Sequence, residues 1–437
     1  MTGEGLLGIS PGMRVKFHKT TLPNGMRVLT EEIPEFPTVA FGIWVNVGSR
    51  DEAPKEAGLT HFIEHMLFKG TDRRSAQEIA KEMDRLGGYS NAFTSRENTC
   101  FHAKVLPEHL PDLIDLLADL FLHSRFADED VEREKQIVLQ EIKMVEDSPE
   151  ELVHDLFARF IWGGHALGRP ILGTWETVSQ FSPEGIKDYF KRLYTGLRVV
   201  ISAAGATEHQ SLLNLVEKYF GHLPPGPKGG VRRPPTPCSG LEVVTKKLEQ
   251  VHFVLGVPTP GAASERRYAA LLFNTLLGGT MSSRLFQEIR ERRGLAYAVY
   301  SYLSLYEDIG VLGIYAAVEK ENLWETLLVI HQEIKALCEG RFEQGEFSAA
   351  LDHLKGALLL SSDSPETRMT RIARNEILFS RYIPYEETIE RLKALKPKEI
   401  ESFGQEVFSK RPALVVLGPV EKKELEVKVS QILELGP

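Results

Sequence analysis

The hydrophobic pattern of the first part of the chain predicts strands and helices in alternation. Residues 39–47 form a nearly continuous apolar run rich in β-branched and aromatic side chains, which predicts a buried strand after a turn at 21–25. Further strands are predicted at 89–94 and 100–105, paired as a hairpin. Apolar residues recur at helical spacing in four other segments, 75–86, 107–123, 128–146 and 149–161. This part of the chain is therefore predicted to be α plus β.

A proline- and glycine-rich stretch divides the chain. Residues 223–240 contain the runs Pro-Pro-Gly-Pro and Pro-Pro-Thr-Pro, which form no regular structure and are typical of a semi-rigid linker. The linker separates a predicted first domain, residues 1–222, from a predicted second domain, residues 241–437.

The second half repeats the pattern of the first. The apolar run at 251–257 matches that at 39–47, and the tetrapeptide Asp-Ser-Pro-Glu at 147–150 recurs at 363–366. An offset of roughly 207 to 216 residues indicates a duplicated domain. We expect an α+β fold with two homologous domains, each a mainly antiparallel sheet with helices on one face, which together enclose a cavity.

Composition and charge narrow the possible partners. The 437 residues are 42% apolar, which suits two or three globular domains. The formal net charge is −9 with both signs interspersed, so we expect no binding to nucleic acid or to an acidic membrane surface. No run approaches eighteen apolar residues and the first residues lack a signal-peptide pattern, which predicts a cytoplasmic protein. The three cysteines are far apart and are predicted to be free thiols.

The run HFIEH carries the clearest chemistry. On a helix, His61, Glu64 and His65 share one face, and we expect this helix to have Thr60 as its N-cap and to stop at Gly70. Imidazole nitrogen binds Zn²⁺, and a neighbouring glutamate can accept a proton from water. The order HxxEH is the inverse of HExxH, and both suit a zinc hydrolase. The alternative is an ordinary helix with three polar residues.

A zinc site needs a third protein ligand, and the helix at 128–146 offers candidates. Glu134 and Glu141 are seven residues apart and share one face. The second half has no histidine or glutamate at the five corresponding positions, which are Ala270, Phe273, Asn274, Ala350 and Ala357. The scaffold therefore does not require them. A solvated helix face is the alternative, because Glu132 and Glu146 lie on the same helix.

These residues resemble those of a known family. HFIEH, followed by Glu141 after 76 residues, resembles the pitrilysin family of inverted-motif zinc peptidases, in particular its shorter bacterial and mitochondrial-processing-peptidase branch. The resemblance spans nearly the whole chain and includes four further runs, at 91–97, 167–173, 282–286 and 293–297. It implies a zinc-dependent endopeptidase that hydrolyses extended peptides or unstructured segments.

The resemblance also implies the roles of individual residues. It implies that His61, His65 and Glu141 are the Zn²⁺ ligands. Glu64 is implied as the general base, and Glu134 as a carboxylate that supports the site. The helix face alone does not separate the role of Glu134 from that of Glu141.

In the second half, the resemblance implies that Arg290 and Tyr297 complete the site by contacting the substrate backbone and its developing oxyanion. Other interpretations exist for both residues. Arg290 lies close to Arg292 and Arg293 in a charge run that favours a solvated surface, and Tyr297 lies in a tyrosine-rich segment typical of a strand.

The family also suggests how substrate binds. Peptides are expected to add as a strand along Asn91, Ala92 and Phe93, although Phe93 stands where the family often has tyrosine. The alternative function is a non-catalytic assembly or partner subunit of the same fold. Such subunits usually lack part of the motif, which this chain keeps. Chains of this length in the family often pair, so a homodimer is expected.

Overall fold

The computed structural model describes residues 14–227, 229–230 and 232–426. The glycine-rich start of the chain and residues 228 and 231 of the predicted linker lie outside the described residues. Within them the chain forms eleven strands: β1 (Lys16–Thr21), β2 (Arg27–Glu32), β3 (Val39–Val45), β4 (Tyr89–Thr94), β5 (Thr99–Val105), β6 (Val199–Gly205), β7 (Gly240–Thr245), β8 (Val251–Pro260), β9 (Ala296–Leu305), β10 (Ile309–Val318) and β11 (Ala413–Gly418).

The same described residues form fourteen α-helices. They are α1 (Leu59–Met66), α2 (Ala76–Arg85), α3 (Leu110–His123), α4 (Asp128–Asp147), α5 (Pro149–Trp162), α6 (Trp175–Ser179), α7 (Pro183–Leu193), α8 (His209–Phe220), α9 (Arg267–Leu277), α10 (Leu323–Cys338), α11 (Glu346–Ser361), α12 (Pro365–Phe379), α13 (Tyr385–Ala394) and α14 (Pro397–Phe408). Most of the elements predicted from the pattern therefore form within a few residues of the predicted bounds. Among these helices, none has both the length and the apolar character that crossing a bilayer requires.

The chain folds into two compact units, each with its own sheet. The described residues of the first unit lie within 1–143, 169–231 and 359–386. Its six strands are ordered β1-β2-β6-β3-β5-β4, and each neighbouring pair is antiparallel except β2 with β6. Strand β4 lies at an edge. One face of the sheet packs against α1, α3 and α4 through residues such as Phe62 and Val138.

The second unit lies within 144–168, 232–358 and 387–437. Its five strands are ordered β7-β11-β8-β10-β9, and β7 with β11 is the parallel pair. Helices α9, α10 and α14 pack on one face through Phe273 and Phe403. The expectation of two α+β domains with mainly antiparallel sheets is confirmed.

The repeated tetrapeptide marks an exchange of helices between the halves of the chain. Strand β3 sends its odd-numbered side chains into the main core of the first unit, while Ala40 and Trp44 face the other side. That second face is covered by α12, which follows the second copy of the tetrapeptide, and Met369 contacts Trp44 there. Helix α5, which follows the first copy, covers the sheet of the second unit through Phe157.

The compact units therefore differ from the linear division at the linker by these exchanged segments. Each sheet has two apolar faces, and burial of the second face is favourable by roughly 25 cal/mol per Å² of apolar surface. The apolar pattern of β3 predicts a strand buried on both sides, but it does not identify the helix that covers it.

Candidate active site

Helix α1 has a core face and a polar face. Phe62 and Met66 are buried in the main core of the first unit. His61, Glu64 and His65 are partly exposed on the opposite side. This is the arrangement that the helical period of HFIEH predicts.

The start of α1 is set by Gly58 and Glu52. Gly58 has φ +93°, which favours glycine, and a side chain there would lie 2.6 Å from the carbonyl oxygen of Leu172. The carboxylate of Glu52 accepts hydrogen bonds from the backbone N–H groups of Gly58 (2.9 Å) and Thr60 (2.8 Å). The prediction that Thr60 is the N-cap was wrong: it lies in the first turn, and its hydroxyl is 2.9 Å from that of Tyr189.

The far end of α1 also differs from the prediction. The helix ends at Met66, and its C-cap is Leu67 rather than Gly70. Gly70 has φ +127° and pairs in an isolated bridge with Ser75, where the chain turns toward α2. The prediction that the helix stops at Gly70 was therefore wrong, and this glycine shapes the loop that follows the helix.

The three predicted zinc ligands converge. Nε2 of His61 lies 3.9 Å, and Nε2 of His65 3.8 Å, from Oε2 of Glu141 on α4. One ligand atom from each residue can be chosen so that all lie within 4.8 Å, and no other such group of histidine, cysteine or acidic residues occurs in the described part of the chain. Tetrahedral zinc bonds of about 2.0–2.1 Å place ligand atoms about 3.3 Å apart. The two distances to Glu141 therefore exceed this spacing by about half an ångström.

The protonation of His61 suits this role. Burial, together with the nearby charge of His65, lowers the pKa of His61 to about 4. Its imidazole is therefore neutral near pH 7, and the neutral form is the one that can bind a metal ion. If zinc bound to these two nitrogens and one carboxylate, a fourth position would be available for water or substrate, as in catalytic zinc sites.

Glu134 lies behind His65 and outside the ligand group. It is only 1% exposed. Its Oε1 accepts a hydrogen bond from Nδ1 of His65 at 2.9 Å, and its Oε2 forms an ion pair with Lys69 at 2.7 Å, without hydrogen-bond alignment. Holding the proton on Nδ1 leaves Nε2 free to bind metal. The structure thus separates the two glutamates of the helix face: Glu141 belongs to the ligand group, and Glu134 lies behind His65 and contacts its other ring nitrogen.

The two members of this contact affect each other's protonation. Burial opposes the charge of Glu134, but the contacts with His65 and Lys69 outweigh it, so the pKa of Glu134 lies below its ordinary value. Burial likewise opposes the charge of His65, and the adjacent carboxylates outweigh it, so the pKa of His65 is raised. Glu134 is therefore an anion at neutral pH.

Glu64 is placed for proton transfer. Its Oε2 accepts a hydrogen bond from the hydroxyl of Thr94 at 2.5 Å, and Oε1 has no protein partner among the described residues. Burial raises the pKa of Glu64, and the hydrogen bond from Thr94 offsets part of this increase. A carboxylate with a raised pKa and a free oxygen beside the ligand group has the properties of a general base.

The predicted substrate strand forms an open edge. Asn91, Ala92 and Phe93 lie on β4, whose outer side has no partner strand within the described residues. Phe93 is 37% exposed, and its ring meets that of Trp44 edge to face. A cleft of about 330 Å³ separates the strand from α1 and is lined by Glu64, His65, Phe68, Lys69, Ser90, Asn91 and Ala92. Unpaired backbone groups at such an edge can pair with an extended peptide.

Arg290 and Tyr297 contact each other in the second unit. Arg290 lies in a π-helical segment, Phe286–Arg292, and its guanidinium lies 4.5 Å from the ring centre of Tyr297. Tyr297 is 78% exposed at the start of β9. A π-helical segment is rare and often occurs at functional sites. The sequence alone predicted neither this segment nor the stacking; the roles of both residues stay predictions.

Three residues of the site were missed by the sequence analysis. Thr94 shares the face of Ala92 on β4, and this spacing was the available signal. Lys69 lies beyond the end of α1, so helical spacing does not place it beside Glu134. Glu52 caps a helix that begins seven residues later, outside the span of local capping patterns.

The fold has close structural neighbours. The structure of a protease from Helicobacter pylori matches with a TM-score of 0.86 and 22% identity, covering 93% of this chain and all of that one. A Pseudomonas fluorescens structure described as a peptidase M16 inactive domain matches with a TM-score of 0.86 and 19% identity, covering 93% of this chain and 98% of that one. At these identities the likeness establishes the fold.

Sequence relatives identify the family. Residues 27–175 match Insulinase (Peptidase family M16), and residues 180–354 match the Peptidase M16 inactive domain. An uncharacterized zinc protease of Streptomyces coelicolor is 39% identical over 415 residues, which is 93% of this chain and 90% of the relative. YmxG of Bacillus subtilis, also named an uncharacterized zinc protease, is 41% identical over 400 residues, 91% of this chain and 97% of the relative. The pitrilysin resemblance is confirmed, and the chain belongs to peptidase family M16, the insulinase family.

Proposed function

We propose that this protein is a zinc-dependent endopeptidase. The observation that carries the proposal is the convergence of His61, His65 and Glu141 beside Glu64, whose carboxylate has one anchored and one free oxygen. The relatives from Streptomyces coelicolor and Bacillus subtilis, both named zinc proteases, support the same class.

The residues of the first unit would have three different roles, in binding zinc, in orienting a ligand and in transferring a proton. His61, His65 and Glu141 would hold a zinc ion, and Glu134 keeps the His65 ring in the ligating tautomer. A zinc ion bound there would polarise a carbonyl group and acidify water. Glu64 accepts the proton of the attacking water at Oε1 and then delivers it to the leaving amine.

The edge of β4 supports the proposed substrate class. An added strand gains affinity from main-chain hydrogen bonds, which depend little on sequence. We infer that extended peptides or unstructured segments bind along Asn91, Ala92 and Phe93. The contact between Arg290 and Tyr297, with the exposed ring of Tyr297, supports a role for both in binding substrate.

A non-catalytic partner subunit of the same fold is the alternative. The observation that favours it is the match of residues 180–354 to a domain described as inactive. The ligand group and Glu64 lie outside that match, in the part that matches the insulinase family. The expected homodimer stays a prediction.

The proposal is tested by metal analysis and digestion of a peptide library. The wild-type protein should bind one zinc per chain and cleave peptides. Glu64→Gln keeps the shape but removes the base, so it should retain zinc and hydrolyse slower by roughly 10² to 10⁴. Cleavage by Glu64→Gln at the wild-type rate would assign the base elsewhere. A zinc-loaded wild-type protein that cleaves no peptide would favour the non-catalytic subunit.

A further inference from the structure

We propose that Thr94 is a positioning residue, which holds Glu64 in the orientation for proton transfer and links it to the substrate strand. The inference rests on the proposed function, because it gives Glu64 the role of base.

The contact is short and directed. Thr94 Oγ1 donates to Oε2 of Glu64 at 2.5 Å, the range of a charge-assisted O–H···O⁻ hydrogen bond. Such a bond is roughly twice as strong as one between neutral groups. Because it engages Oε2, it directs the other carboxylate oxygen away from Thr94 and leaves it available to react.

No other side chain among the described residues performs this task for Glu64. His65 belongs to the ligand group and donates to Glu134, and the carboxylates of Glu134 and Glu141 have no proton to donate to Glu64. A glutamate side chain has three rotatable bonds and loses considerable rotamer freedom when it is held in one orientation. Without the Thr94 hydroxyl, the carboxylate would have to lose that freedom during the reaction.

Thr94 also connects the base to the proposed substrate strand. Successive side chains of a strand alternate, so Ala92 and Thr94 face the same side of β4. Ala92 packs against the core that includes Phe62 of α1, which places this face toward the helix. A peptide paired along Asn91 to Phe93 would restrain the backbone of the strand immediately before Thr94. Substrate pairing and the orientation of Glu64 are thereby coupled.

The kinetic test uses Thr94→Val, which keeps the shape and loses the hydroxyl, and Thr94→Ser, which keeps the hydroxyl. Losing a hydrogen bond to a charged group predicts a decrease in kcat of about ten- to a hundredfold for Thr94→Val. KM and zinc content should stay within about twofold of wild type, and Thr94→Ser should recover most of the rate. Thr99→Val is the matched control, since Thr99 lies opposite Thr94 on β5 and donates to the carbonyl of Val47 instead.

A kinetic double-mutant cycle shows whether Thr94 acts through Glu64. If it does, Thr94→Val should slow the wild type but add little to Glu64→Gln. Equal losses in both backgrounds, an effect confined to KM, or no recovery by Thr94→Ser would overturn the proposal. So would an equal decrease in kcat for Thr99→Val, because that would reflect general disturbance of the hairpin.

A second measurement separates this proposal from the proposed function. Urea unfolding of zinc-loaded wild type, Thr94→Val, Glu64→Ala and the double variant measures the coupling between the two side chains without peptidase activity. Coupling is expected, and additive effects would show that the contact does not hold Glu64. If the wild-type protein shows no zinc-dependent cleavage, the endopeptidase proposal is refuted, and with it the catalytic role of Thr94. If the wild-type protein is active and Thr94→Val is equally active, only the positioning role of Thr94 is refuted.

Discussion

Replacing Glu134 with glutamine tests how strongly zinc affinity depends on the residue behind His65. Glutamine has the size of glutamate, and its amide oxygen can still accept from Nδ1 of His65. The substitution removes the negative charge that lies 2.9 Å from His65 and 2.7 Å from Lys69. It also turns an amide NH₂ group toward the ammonium of Lys69, where both groups are donors.

The size of the effect follows from these contacts. Removing the outer partner of a metal-binding imidazole typically weakens metal binding by about 10- to 100-fold, which is about 1.4 to 2.7 kcal/mol. Glu134 is 1% exposed, so water cannot readily reach its position and solvate the groups that lose its charge. The unpaired ammonium of Lys69 would also repel a dication nearby. We therefore expect the upper part of the range, about 30- to 100-fold.

The assay is competition for zinc between the protein and a chromophoric chelator at pH 7.5. Glu132→Gln is the matched control, because Glu132 lies on the same helix, is 67% exposed and pairs with Lys135 at 2.6 Å. It removes the same charge without touching the site, although its partner Lys135 is buried. Its zinc affinity should stay within about twofold of wild type.

Two results would refute the reasoning. Zinc affinity of Glu134→Gln close to wild type would show that the contact with His65 does not support metal binding. Similar weakening in Glu134→Gln and Glu132→Gln would show that the overall charge of the protein, rather than the buried contact, sets the affinity.

Three further predictions concern the ligand group, the second unit and the start of α1. His65→Ala and Glu141→Ala should each lose most of the bound zinc by metal analysis, and full retention in both would contradict the site. Tyr297→Phe should lower kcat and kcat/KM together with unchanged zinc content, whereas a change in KM alone would indicate ordinary binding. Burial raises the pKa of Glu52 from 4.5 to about 8. Between these pH values the folded protein holds a proton that the unfolded chain releases. The free energy of unfolding therefore falls by up to about 1.4 kcal/mol per pH unit as the pH rises. Glu52→Gln should be less stable than wild type at pH 5, because one backbone N–H loses its acceptor, and urea unfolding should show this gap narrowing by pH 8; a constant gap would contradict the raised pKa.

Residues close in sequence made part of the site predictable. His61, Glu64 and His65 lie within one helical turn and a little more, so their common face follows from the helical period alone. The same argument places Glu134 and Glu141 on one face of α4, but they are two turns, about 11 Å, apart along the axis. Only the docking of α4 against α1 decides that Glu141 joins the imidazoles while Glu134 lies behind His65.

By itself the sequence also predicted the duplication and several strands and helices of the first half, because periodicity, turn residues and repeats are local properties. The role of Asn91 to Phe93 as the substrate edge came from the family resemblance. Tertiary structure decided the features that join distant residues. Glu52 caps α1 from an upstream loop, Thr94 reaches Glu64 across the cleft, and α12 covers the second face of the first sheet through Met369. The local sequence shows that a group needs a partner, for example that a backbone N–H group needs an acceptor or that an apolar strand face needs a covering surface. Which residue supplies that partner depends on how the elements pack.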